Sequence, residues 1–138
     1  MTTRLNPYIS FGNNAKQALE FYQSVLGGEL VLSTFGEAGM PVEPAELDLI
    51  MHGMLTSPTD LVLMAADTPS HLTRTSGDNI SVSLSGEDEA ELTAYWNKLT
   101  DGATITAPLE KAPWGDTFGM LTDKFGTNWL VNITGASA

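Results

Sequence analysis

The chain has 138 residues, 42% of them hydrophobic, which suits a folded core and excludes a disordered segment. Seventeen acidic residues against six basic ones give a formal net charge of −11, which excludes nucleic acid and anionic membrane surfaces as partners and admits a neutral or cationic small molecule. The absence of cysteine excludes disulfides, thiol catalysis and thiolate metal sites.

The opening stretch, MTTRLNPYIS, has no charged segment leading into an apolar one, so no secretory leader is expected and a cytoplasmic location is. Leu5, Pro7, Ile9 and Phe11 then alternate with Asn6, Tyr8 and Ser10, the pattern of a half-buried strand. A helix follows. Asn14 is its expected N-cap, with Gln17 three residues on, and Ala15, Leu19, Tyr22 and Leu26 recur at helical spacing. Gly27 is placed to end it. ELVLSTF, LDLIMHGML and DLVLMAAD read as three strands, all far too short to span a bilayer. Between the first two, residues 36 to 46 (GEAGMPVEPAE) are rich in Gly and Pro and read as a loop that forms a flap. Asp67, just before Thr68–Pro69, reads as turn chemistry.

The second half repeats the plan. NISVSL aligns with the first strand without a gap, setting Asn6 against Asn79, Ile9 against Val82 and Phe11 against Leu84. Ser85 is the expected N-cap of a second helix with Leu92, Tyr95, Trp96 and Leu99 on its buried stripe, closed by Asp101–Gly102. ATITAPL, DTFGMLTD and NWLVNI are expected strands, and Asp123 with Gly126 reads as the hairpin turn between the last two. The chain is therefore expected to be one α+β domain, residues 1–138, of two βαβββ modules at about 1–70 and 76–138. A helix on one sheet face leaves the other bare, so the modules are expected to join around an open, barrel-like cleft.

A duplicated βαβββ unit with ALEFYQSVLGG after its first strand resembles the vicinal oxygen chelate superfamily, which includes glyoxalase I, bleomycin-resistance proteins, fosfomycin-resistance enzymes and extradiol dioxygenases. PYISFGNNAKQALEFYQSVLGGEL, MHGML and WGDTFGMLTDKFGTNWLVN are most similar to its PhnB-like branch, whose members are often labelled demethylubiquinone methyltransferases. The resemblance covers nearly the whole chain. It implies a divalent ion held by His, Glu or Gln on the first and last strands of each module. Those positions fall here on Asn6 (or Pro7), Met64, Asn79 and Leu130. None is a carboxylate or an imidazole, so no metal and no other cofactor is expected. Methyl transfer is not expected either, since no strand runs into a GxGxxG-like loop that opens a helix.

Strand alternation lines the cleft with Asn6, Tyr8, Ser10, Asn79, Ser81 and Ser83 from the two first strands. Val62, Met64 and Ala66 come from the fourth strand, and Asn128, Leu130 and Asn132 from the last. Trp114 and Phe118 are candidates to stack on a ligand. His52 has two readings: a hydrogen-bonded histidine at the core edge, or a neutral imidazole facing the cleft as a base or hydrogen-bond partner. His71 lies in a polar loop and reads as solvated. The resulting expectation is a metal-independent small-molecule-binding homodimer. The alternative is an isomerase, lyase, transferase or dioxygenase working from a non-standard site at His52.

Overall fold

Strand β1 (Tyr8–Phe11) opens the fold in a computed structural model that describes residues 3–135. Helix α1 (Ala15–Leu26), β2 (Glu29–Thr34), α2 (Phe35–Ala38), a 3-10 turn (Pro44–Glu46), β3 (Ile50–Thr56) and β4 (Val62–Asp67) complete a first compact unit that ends at Ser76. Its sheet runs β1-β4-β3-β2, with β1 parallel to β4 and the other pairs antiparallel. The second unit, from Gly77 on, has β5 (Val82–Gly86), α3 (Glu89–Leu99), β6 (Thr104–Lys111), β7 (Thr117–Thr122) and β8 (Asn128–Ile133). Its order, β5-β8-β7-β6, repeats the first topology with the same parallel pair. The α+β fold of two βαβββ modules is thus present.

Helix α1 buries Ala15, Ala18, Leu19, Tyr22, Val25 and Leu26, one continuous stripe against its own sheet. Gly27, at φ 76°, turns its N–H back to the Gln23 carbonyl and stops the helix. The sheet accepts this close approach at Gly53, where any Cβ would collide with Leu19 Cδ1. The second unit uses the same device. A Cβ on Gly119 would lie 2.8 Å from Trp96 Cη2 of α3 and 2.9 Å from the Leu109 Cα.

Five local expectations need correction. Asn14 does sit at the N-cap of α1, but its side chain makes no capping hydrogen bond. Asp67 Oδ1 takes that role by accepting from Ala15 N–H at 2.8 Å, so Asp67 is far more than a turn residue. Ser85 does not cap α3. It continues β5 opposite Asn132, and Asp88 caps the helix by accepting from Glu91 N–H.

The ungapped repeat is also out of register. Tyr8 and Met54 both pair with Met64, while Ser83 and Met120 both pair with Leu130. Tyr8 therefore corresponds to Ser83, where the ungapped alignment set it against Ser81. The shared tripeptide Gly53-Met54-Leu55 and Gly119-Met120-Leu121 carries the true register.

Residues 36 to 46 are no open loop either. Thr34 and Glu37 form a reciprocal capping box on α2. Phe35 and Gly36 N–H groups bond to the Leu49 and Leu47 carbonyls, and Glu46 accepts from Ser70 N–H at 2.7 Å. The segment is fastened at both ends.

Candidate functional site

Each sheet carries its helix on one face, so candidate residues belong on the other. In the first unit that face follows from register. Tyr8 and Ser10 of β1 lie beside Met64 and Ala66 of β4, Met64 lies beside Met54 of β3, and Met54 beside Val31 of β2. His52 pairs with Ser33 and shares the face with Met54. Tyr8 is half exposed at 51%, and its hydroxyl lies 3.5 Å from His52 Nδ1, the outer limit of a hydrogen bond. The two rings are 5.8 Å apart at a tilt of 32°. His52, Met54 and Met64 are all half-buried. The result is a phenol and an imidazole side by side next to two thioethers, with water able to reach them.

The corresponding face of the second unit has Ser83 and Ser85 on β5, Leu130 and Asn132 on β8, and Met120 and Phe118 on β7. Phe118 takes the place of His52, and Leu130 that of Met64. Trp114, 64% exposed in the β6–β7 connection, packs edge-on against Phe118 with centroids 5.7 Å apart. Asn132 donates from Nδ2 to Asp116 Oδ2 at 3.0 Å, and Gly135 N–H donates to Asp116 Oδ1 at 2.9 Å. These two donors, the Gly135 amide first, hold the Asp116 carboxyl below the usual carboxylate range. One side of Asn132 is therefore already committed within its own unit.

The structure brings Tyr8, Ser10, His52 and Met64 onto one face, and Ser83, Phe118, Leu130 and Asn132 onto another. Asn6, Asn79 and Ser81 lie outside β1 and β5, so strand register does not assign them to either face. The strands are shorter at these ends because pairing begins only at the Pro7 carbonyl and at Val82. Sequence reasoning overlooked Met54, Met120 and Ser33. The signal was available, since Met54 follows His52 by one alternation and shares a tripeptide with Met120.

Two buried carboxylates are structural. Asp67 accepts from Ala15 and Ile50 N–H groups. Asp123, only 4% exposed, accepts from the Phe125 and Thr127 N–H groups and from Trp129 Nε1–H. Its turn reading holds, and it anchors the indole as well.

A divalent ion of the kind the resemblance implies does not fit. The residues that meet Met64 and Leu130 from the first strands are Tyr8 and Ser83, so the mapped set offers no carboxylate and no imidazole. Among the described residues, no three His, Cys, Asp or Glu side chains are grouped to hold a metal ion.

The sequence profile of the glyoxalase/bleomycin resistance protein/dioxygenase superfamily matches residues 4–131. Protein YjdN of Escherichia coli strain K12 is 27% identical over 140 residues, spanning 94% of both chains. Among solved structures, protein PA1353 of Pseudomonas aeruginosa matches with a TM-score of 0.87 and 32% identity, over 96% of this chain and 98% of its own. The PhnB protein of Bacillus cereus, which bears the name 3-demethylubiquinone-9 3-methyltransferase, matches with a TM-score of 0.76 and 25% identity, over 96% and 100%. Profile, relatives and topology agree along nearly the entire length, and the chain belongs to the glyoxalase/bleomycin resistance protein/dioxygenase superfamily.

Proposed function

We propose that the protein binds a neutral or cationic small organic molecule on the helix-free faces of its two units, the first unit's face being the principal one, without a divalent ion. The observation that carries this reading is the Tyr8–His52 pair beside Met54 and Met64. Two hydrogen-bonding groups at an adaptable apolar floor are what an organic ligand needs for orientation and burial. The formal charge of −11 favours a cationic or neutral ligand over an anion. Tyr8, Ser10, His52 and Met64 are the binding residues proposed in the first unit, and Trp114, Phe118, Leu130 and Asn132 those in the second.

The Tyr8–His52 contact also favours a second reading, in which His52 is a catalytic base for an isomerase, lyase, transferase or dioxygenase reaction. With Nδ1–H donating to the phenol oxygen, the other ring nitrogen keeps its lone pair and can take a proton. Methyl transfer is not carried over from the Bacillus cereus relative. Helix α1 follows Gly12-Asn13-Asn14 and α3 follows Gly86-Glu87-Asp88, and neither is a glycine-rich nucleotide cradle. A homodimer belongs to the proposal, because β1, β2, β5 and β6 are each paired on only one side within their sheets.

The test is a melting screen of tag-free protein against bleomycin and a panel of neutral and cationic aromatic compounds, with light scattering for the dimer. For a compound that raises the melting temperature, His52→Ala should weaken binding by about 1–3 kcal/mol and leave the free protein's stability intact. A variant that melts early yet keeps full affinity refutes the reading.

A further inference from the structure

Duplication supplies an internal comparison for the first unit's face. In the frame set by register, positions held by Tyr8, His52, Met54 and Met64 are held in the second unit by Ser83, Phe118, Met120 and Leu130. The fold builds the same strands and the same glycine-under-helix contact with Phe and Leu at two of these positions. An imidazole at 52 and a second thioether at 64 are therefore not demanded by packing. They are also the two substitutions that turn a single thioether into a His-Met-Met set.

We infer that His52, Met54 and Met64 form a site for a soft monovalent cation of the Cu(I) or Ag(I) class. Met54 and Met64 are direct partners in the antiparallel β3–β4 pair, which sets their Cβ atoms about 4.5–5.5 Å apart. His52 stands one alternation before Met54, about 7 Å along the same face. Unbranched thioether side chains with three rotatable bonds close such gaps, so two sulfurs and one ring nitrogen can meet at one ion.

Thioether and imidazole donors without a carboxylate select a soft ion, and for the same reason they leave Mg(II), Ca(II) and Mn(II) poorly served. Tyr8 adds the outer contact that metal-bound imidazoles use. Its hydroxyl oxygen can accept from Nδ1–H, which orients the ring and leaves the Nε2 lone pair for the ion. All three donors are half-buried, within reach of solvent but partly shielded from it, and the net negative charge draws cations towards the protein. The site shares its face with the organic ligand proposed above but does not depend on it.

The experiment uses tag-free full-length protein labelled with 13C at the methionine methyl groups. Silver nitrate added to one equivalent should move the Met54 and Met64 methyl signals in slow exchange and leave Met40 and Met120 in place. Cu(I) should be withdrawn from bicinchoninate with one-to-one stoichiometry. His52→Phe and Met64→Leu, each copying the second unit, should abolish that uptake. Tyr8→Phe should weaken it roughly 10-fold, and Met120→Leu should change nothing.

Unchanged Met40 and Met120 signals verify that each variant is folded, and Met54→Leu replaces Met64→Leu should the latter fail that check. Three results overturn the site: no uptake, uptake that survives both His52→Phe and Met64→Leu, or silver that moves Met40 as readily as Met54. None of these bears on the organic-ligand screen, which contains neither metal.

Discussion

Asp67 Oδ1 accepts a hydrogen bond from Ala15 N–H at 2.8 Å although 52 residues separate them. Its Oδ2 accepts from Ile50 N–H at 2.9 Å. One carboxylate, 6% exposed, thereby joins the end of β4, the first residue of α1 and the first residue of β3. It also places negative charge at the positive end of the helix dipole. Asp67→Ala should destabilise the protein by about 2–4 kcal/mol: about 1 kcal/mol for the lost cap and roughly 1–3 kcal/mol for an unsatisfied buried N–H. Asp67→Asn keeps one carbonyl oxygen and can serve only one of the two amides, so it should fall between wild type and Ala. Urea denaturation measures both, and a cost under about 1 kcal/mol for the alanine variant would remove Asp67 from this role.

Gly53 and Gly119 hold equivalent positions but should not respond equally to alanine. At Gly53 the obstructing atoms are the ends of the Leu19 and Leu32 side chains, which can rotate at some cost. At Gly119 they are the rigid Trp96 ring and the Leu109 Cα, and backbone does not yield without shifting β6. Overpacking a close-packed site costs about 1–3 kcal/mol, so Gly119→Ala should sit at the top of that range or above, and Gly53→Ala nearer the bottom. Thermal unfolding of the two variants decides this. The reverse order would mean that Leu19, not Trp96, is the less adaptable partner.

Much of this architecture is legible in the sequence because periodicity reports burial directly. NWLVNI is β8 to the residue, and the α1 stripe lies where helical spacing put it. What escaped depends on contacts that no local window contains. Asp67 looked like a turn residue because its partners are Ala15 and Ile50, both remote in sequence. Ser85 looked like a cap because nothing local shows that Asn132 keeps it in the ladder. The ungapped match that set Asn6 against Asn79 and Ile9 against Val82 rested on local alternation, which recurs every two residues, whereas the Gly-Met-Leu repeat in β3 and β7 fixes the frame through pairing with β4 and β8. The candidate site follows the same division. Alternation set Tyr8 and Met64 on one side of their strands, whereas the facing of His52 and the presence of Met54 emerged only with the β2–β3 and β3–β4 register.

The last prediction concerns Asp116 and acid. Its carboxyl accepts from Gly135 N–H and from Asn132 Nδ2–H, both of which favour the charged form and lower its pKa. A folded-state pKa below the unfolded value, about 3.9 for aspartate, contributes stability that is fully present above that value. The contribution is lost as pH falls through the lower folded value, so its window lies below about pH 4 and neutral conditions do not report it. A carboxyl-carbon NMR titration should give Asp116 a midpoint below that of ordinary aspartates, and the Gly135 amide should shift with the same midpoint. Asn132→Leu should raise the midpoint only partway, since the Gly135 amide is the larger cause. Asp116→Asn should abolish the titration of the Gly135 amide. If the Asp116 midpoint matches ordinary aspartates while Gly135 titrates independently, the pairing across the start of β7 and the end of β8 does not hold the charge as described.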